Sequence, residues 1–190
     1  MPPNSITPSF MKLFTALRLP PRLTHQVTDV QRGVAGARWS EPEKLHITTA
    51  YYGEVDDDHA EALDFELARH PLPSLTLQLE GAGHFGNLEP HAIWLGVKEN
   101  AGLLALHQHC KHAARRAGIT LEKRNYLPHV TLAYLRATTP LDRVIAFEKR
   151  LSRFNCAPFI VDEMTLFSSH HRERNTNLYR EEATYPMVMG

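Results

Sequence analysis

The sequence predicts an α+β fold built as two similar lobes that face a central cleft. Three observations carry this. Strand and helix patterns interleave along the 190 residues, one seven-residue strand pattern occurs twice, and no low-complexity stretch or long linker divides the chain. The repeated pattern is His46-Ile47-Thr48-Thr49-Ala50-Tyr51-Tyr52 against His129-Val130-Thr131-Leu132-Ala133-Tyr134-Leu135. Each copy begins with His, places Thr two residues on, and ends in Ala-Tyr and a bulky residue. In a strand, residues two apart share a face, so His and Thr of each copy point the same way. Two such strands brought together present two imidazoles and two hydroxyls to one cavity.

The elements follow in order. Residues 1–10 read as a loosely held tail and 11–190 as one bilobed domain. Residues 12–19 form a first strand, stopped by Pro20-Pro21. Leu23, Val27, Val30 and Val34 are spaced for a helix over 21–35, with Gly36 at its end. The first His-x-Thr strand spans 45–52 and closes at Gly53. Asp56-Asp57-Asp58 supplies a cap and dipole-favoured acids for a helix to about residue 70. Residues 74–79 alternate as a strand, 81–86 read as a glycine-flanked loop around Phe85, and 91–97 as another strand. A helix over 100–117 carries an apolar stripe of Leu103, Leu104, Leu106, Cys110, Ala114 and Ala117, with Gly118 as its C-cap. The second His-x-Thr strand covers 129–135. Thr139 caps a helix with Pro140 as its first residue, running to about 154. Strands over 159–167 and 178–185 complete the chain, joined by a polar loop at 168–172.

Composition bounds the function. The hydrophobic fraction of 43% suffices for a core without a staple. Twenty-one basic residues balance 21 acidic ones, so the surplus that grips long nucleic acid is missing, while a local basic pocket for one strand end is compatible. Cys110 and Cys156 form no CxxC and are too few for a disulfide framework, which suits reduced thiols in the cytoplasm. The first residues lack the pattern of a signal peptide, and no apolar run is long enough to span a membrane.

Bare triplets do not carry the repeat. With 12 His and 14 Thr, chance alone yields roughly one His-x-Thr. The extended match does, since four of seven positions are identical and a fifth is Ile against Val. Imidazole is the side chain whose ordinary pKa lies near neutrality, so two of them can act as general base and general acid. Threonine hydroxyls beside them can donate to the free oxygens of a phosphate. A strained five-membered cyclic phosphate is activated enough to need neither metal nor covalent intermediate.

These residues resemble the 2H phosphoesterases, and among them the RNA 2′,3′-cyclic phosphodiesterases, also called 2′-5′ RNA ligases. Phe14-Thr15-Ala16-Leu17-Arg18-Leu19-Pro20 is similar to the family's opening strand. Leu45-His46-Ile47-Thr48 with Tyr52-Gly53-Glu54 resembles its first motif, Ile93-Trp94-Leu95-Gly96-Val97 a mid-chain strand, and Arg124-Asn125-Tyr126-Leu127-Pro128-His129-Val130-Thr131-Leu132 its second motif. The resemblance implies a bilobed 2H phosphoesterase fold with a pseudo-two-fold axis, two lobes of antiparallel sheet plus helices, and a water-filled cleft. It implies hydrolysis of RNA 2′,3′-cyclic phosphate ends to 2′-phosphates with no cofactor, and a reversible 2′-5′ joining activity. Carried onto this chain, His46 and His129 are the acid–base pair, with His129 as base and His46 as acid, and Thr48 and Thr131 bind the phosphate. The expected partner is RNA with a 2′,3′-cyclic phosphate end, met by a monomer. A non-catalytic RNA-end binding module stays open as another reading, as does a 2H enzyme acting on 2′-5′ oligonucleotides or nucleotide cyclic phosphates.

One departure stands out. Members often carry Arg where this chain has Tyr134, and Arg124, Arg136 or an arginine at 172–174 is expected to supply the charge. Arg124 reads equally as a phosphate contact or as half of a surface ion pair. Tyr126 and Phe85 either stack on a terminal base or pack in the protein. His107, His109 and His112 with Cys110 invite a zinc reading, but only residues three or four apart share a helix face, so no metal is expected.

Overall fold

The structure, a computed structural model, describes residues 10–172 and 176–188. Nearly all of the expected tail, and residues 173 and 174 of the arginine segment, lie outside the described residues; Phe10 already stands in a strand. In chain order the elements are β1 (Phe10–Arg18), α1 (Pro21–Val30), β2 (Arg38–Trp39), a 3-10 turn (Pro42–Lys44), β3 (His46–Asp56), α2 (Asp57–Ala68), β4 (Leu72–Pro73), β5 (Leu75–Leu77), β6 (Leu79–Phe85), β7 (Ala92–Val97), α3 (Ala101–Arg116), β8 (His129–Tyr134), α4 (Leu141–Leu151), β9 (Phe159–Val161), β10 (Glu163–Arg172) and β11 (Thr176–Val188).

One sheet runs β4-β11-β10-β1-β3-β8-β7-β6, with β2 added on β8, and a ribbon of β5 and β9 stands apart. Pairing is antiparallel except between β11 and β4. The join between lobes is narrow: β3 and β8 meet in register at Ile47 and Val130. On one side β1, β3, β10 and β11 form the first lobe, covered by α2 and α3. On the other β6, β7 and β8 form the second, covered by α4, to which Arg150 ties the end of α1 by donating to Val30 O and Arg32 O. The helix that precedes each His-x-Thr strand in sequence therefore sits on the opposite lobe. Helices α1 and α3 are thus exchanged between the lobes.

Local sequence explains most boundaries. Asp56 accepts the His59 N–H and caps α2, and Asn100 accepts the Leu103 N–H and caps α3. Leu103, Leu106, Cys110, Ala113 and Ala114 form the buried stripe of α3; Leu104, expected on that stripe, is 53% exposed. Four other expectations change. The helix expected over 21–35 stops at Val30, where Arg150 takes the terminal carbonyls and the chain turns at Gly33 and Gly36, both in the left-handed region. The stretch 81–86 is not a loop, because residues through Phe85 belong to β6. A side chain at Gly83 would overlap the Trp94 indole on the paired strand, so glycine there serves close packing. Residues 168–172 are likewise strand, with Ser168 buried and donating to Glu182. Pro140 caps α4 instead of opening it, and the helix ends at Leu151.

Candidate active site

The two His-x-Thr copies lie side by side where the lobes join. Antiparallel register about Ile47 and Val130 sets His46 across from Thr131 and Thr48 across from His129. Ile47 and Val130 are fully buried, so the alternation turns the two imidazoles and two threonines to the other face, where they line a cavity of about 650 Å³.

The same register break follows each motif. Thr15 pairs with Ala50 and Ala16 with Thr48, which leaves Thr49 extra on β3. Ile93 pairs with Ala133 and Trp94 with Thr131, which leaves Leu132 extra on β8. Each is a β-bulge, and one extra residue reverses the alternation beyond it. The bulged residues turn inward: Thr49 is buried and its hydroxyl donates to Thr15 at 2.7 Å, while Leu132 is fully buried. Three residues past each Thr, the exposed Tyr51 and Tyr134 then return to the cavity face and line it.

Each imidazole is held alike. His46 Nδ1 lies 2.6 Å from Lys44 O, and His129 Nδ1 lies 2.7 Å from Leu127 O. A carbonyl can only accept, so Nδ1 carries the proton and Nε2 is left for a ligand in the cavity. Aromatic rings wall both. Phe14 stands 5.2 Å from His46 with Tyr179 edge-on at 5.7 Å, and Phe85 stands edge-on to His129 at 4.9 Å with Trp94 at 6.1 Å. Burial pushes the His46 pKa down to about 4; the Lys44 carbonyl opposes this, and the charges of His129 and Arg18 add to it. Burial also lowers His129, against the pull of the Leu127 carbonyl. Both shifts favour the neutral ring in the free protein at neutral pH.

The lining is locally basic although the chain is neutral overall. It includes Lys12, Arg38, Lys44 and Arg124 against the single carboxylate of Glu41, among the described residues. Lys44 and Glu41 pair at 2.5 Å, and Arg124 pairs with Glu122 on the exposed rim. Arg38, which sequence reading missed, lies directly across the β2–β8 pair from Tyr134 with its guanidinium 5.2 Å from the ring. Nothing in its neighbourhood in sequence marks it, because a two-residue strand has no periodicity to read.

The other expected site residues fall elsewhere. Arg136 is past the end of β8, beside Gly36 and away from the cavity lining. Phe85 packs on His129 and Trp94. Tyr126 lies behind β3, stacked on His107 at 3.9 Å with its hydroxyl donating to Thr48 O at 3.0 Å. Of the residues behind the zinc reading, His107 donates from Nδ1 to Thr49 O at 2.6 Å and Cys110 is buried beside Thr15 and Thr49. Among the described residues no group of three or more His, Cys, Asp or Glu could hold a metal ion, and no helix is long and apolar enough to cross a membrane.

Known proteins share both the sequence pattern and the fold. A model of the 2′-5′ RNA ligase superfamily matches residues 19–173. The chain is 28% identical over 134 residues to the RNA 2′,3′-cyclic phosphodiesterase of Archaeoglobus fulgidus, covering 68% of this chain and 76% of that one. It is 32% identical over 131 residues to the RNA 2′,3′-cyclic phosphodiesterase of Escherichia coli K12, covering 64% and 70%. Among solved structures, Escherichia coli LigT complexed with 3′-AMP superposes with a TM-score of 0.76 at 24% identity, over 95% of this chain and all of the other. TT0787 of Thermus thermophilus gives 0.76 at 22%, over 93% and 98%. At such identities the superpositions establish the shared fold.

Proposed function

The chain belongs to the 2′-5′ RNA ligase superfamily, and on that premise we propose that it hydrolyses RNA 2′,3′-cyclic phosphate ends to 2′-phosphates, with His46 and His129 as its acid–base pair. One observation carries the reading: the two His-x-Thr strands meet in antiparallel register, so each imidazole stands across from the other copy's hydroxyl in a cation-lined cavity.

The chemistry follows from that pairing. The phosphate sits between the strands, and Thr48 and Thr131 donate to its two non-bridging oxygens. One Nε2 accepts a proton from water as the oxygen attacks phosphorus. The bond from phosphorus to the ribose 3′ oxygen breaks on the opposite side, and the other imidazolium protonates that oxygen. By the family resemblance His129 takes the first role and His46 the second. Lys12, Lys44, Arg38 and Arg124 attract the anion, with Arg38 and Arg124 able to fork onto phosphate oxygens. Tyr51 and Tyr134, which line the cavity, offer rings on which bases can stack. A 5′-hydroxyl in place of water turns the same steps into 2′-5′ joining. Both motifs lie in one chain, so a monomer suffices, and neither role calls for a metal.

The test is product analysis with a 2′,3′-cyclic-ended RNA. His46→Ala and His129→Ala are each expected to cut turnover by at least ~10², the usual size of an acid–base contribution, and excess chelator is expected to leave the wild type unaffected. Full activity in either variant sinks the reading. Tight binding without turnover points instead to an RNA-end binding module, and loss with chelator to a metal enzyme.

A further inference from the structure

The bulges after Thr48 and Thr131 interrupt the strand ladders, and a buried carbonyl there needs a donor. Side chains donate to these carbonyls at equivalent places in the two copies. In the first, Tyr126 donates its hydroxyl to Thr48 O at 3.0 Å and His107 donates Nδ1–H to Thr49 O at 2.6 Å. In the second, Ser40 donates its hydroxyl to Thr131 O at 2.9 Å, and Leu132 O accepts Gln31 Nε2–H at 3.1 Å beside the backbone N–H of Ser40 at 2.8 Å. Thr48 matches Thr131 in the repeat, and Thr49 matches Leu132. The donors also correspond in origin, since His107 lies on α3 and Gln31 directly follows α1, the two exchanged helices.

Each pair comes from the opposite half of the chain. Residues 31 and 40 precede the first motif yet hold the second, and residues 107 and 126 precede the second motif yet hold the first. The pairs are themselves braced. The His107 and Tyr126 rings stack with planes 4° apart, and Gln31 Nε2 also donates to Ser40 O at 2.9 Å.

We infer that Tyr126 with His107, and Ser40 with Gln31, are two reciprocal clamps whose work is positioning: each fixes the bulge that aims one half's His, Thr and Tyr at the shared phosphate. A bulge that relaxes lets the alternation slip, and a slip moves the threonine hydroxyl and the following tyrosine off the cavity face. The clamps' hydrogen bonds go to backbone carbonyls, so they act through His46, Thr48, His129 and Thr131; Ser40 also lines the cavity, and an unchanged KM separates its positioning role from a substrate contact. The inference rests on the functional reading above for its catalytic consequence, but the positioning itself stands on hydrogen bonds that can be removed singly.

Two conservative variants test it on the full chain. Tyr126→Phe keeps the stack on His107 and removes one O–H; Ser40→Ala keeps the backbone N–H and removes the hydroxyl. With a nucleoside 2′,3′-cyclic phosphate as substrate, each is expected to lower kcat about tenfold, short of the ~10² that a displacement of about 1 Å can cost, with KM within about twofold. Ser40→Thr, which retains the hydroxyl, is expected to recover most of the rate. Amide hydrogen exchange is read in parallel: Tyr126→Phe is expected to speed exchange across 46–51 and Ser40→Ala across 129–134, with the remaining strands unchanged. Wild-type kcat in both variants overturns the inference, and so does exchange unchanged at both bulges or raised over the whole chain. If the wild type itself turns nothing over, the functional reading fails, and the exchange pattern alone decides whether the clamps exist.

Discussion

Two imidazoles that share a phosphate must differ in protonation at the moment of reaction, and here burial favours the neutral form of both in the free protein. Burial lowers both, His46 to about 4. Because kcat/KM follows the fraction of free enzyme with one ring charged and one neutral, both limbs of its bell are expected below the ordinary imidazole value near 6.5. The sign is set by burial: above the higher of the two lowered pKa values neither ring holds a proton, no general acid is left, and kcat/KM falls with rising pH through neutrality. The bound diester places negative charge between the rings, which favours their charged forms, so the kcat optimum is expected at higher pH than the kcat/KM optimum. Steady-state rates across acid and alkaline pH check this, and a kcat/KM that climbs through neutrality contradicts it. At this scale the four motif residues were legible, because His and Thr two apart need only strand alternation. Tyr51 and Tyr134 were visible as repeated letters but not as cavity residues. Simple alternation sends them to the core side with Ile47 and Val130, and only the bulges at Thr49 and Leu132 return them.

Elements with their own chemistry were legible, and elements defined by a partner were not. Asp56 and Asn100 announce the starts of α2 and α3, and caps of that kind act within one turn. By contrast β2 is two residues long, and it exists because β8 is there to receive it. The polar run at 168–172 resembles a loop until β11 pairs with it along its length. β2 nevertheless serves both faces. Trp39 packs on Phe147 of α4 at 5.9 Å, and Arg38 lies over Tyr134 in the cavity lining. The neighbouring strand thus brings a cation beside Tyr134, where the family resemblance leads to an expected arginine. Arg38→Ala is expected to raise KM for a cyclic-phosphate-ended RNA about tenfold and to lower Tm through loss of its contacts, among which the exposed cation–π contact accounts for about 0.5–1 kcal/mol. Thermal melts beside Michaelis curves separate the two effects; a large Tm loss with KM unchanged assigns Arg38 to stability alone.

Duplication at the level of the whole molecule was legible from the repeated strand, and the two-lobed α+β architecture followed from it. What the repeat hides is that the halves are entwined. α1 is tied by Arg150 to α4 of the second lobe, α3 covers β3 of the first, and the clamps at Thr48 and Thr131 each reach across the middle. Alternation and helix periodicity describe a segment's own faces and say nothing about which of two similar sheets an amphipathic helix covers. The exchange has a thermodynamic consequence. Each sheet is covered in part by a helix whose neighbours in sequence lie in the other lobe, so opening one lobe pulls on the cover of the other and the two are expected to unfold together. The tryptophans make this measurable, because both, Trp39 of β2 packed against α4 and Trp94 of β7, lie in the second lobe. Tryptophan fluorescence therefore reports the second lobe, while far-ultraviolet circular dichroism reports both. In a urea titration the two signals are expected to trace one coincident transition with the same midpoint and slope. A fluorescence transition completed before the dichroism changes would show lobes that unfold separately, and the helix exchange would then contribute nothing to cooperativity.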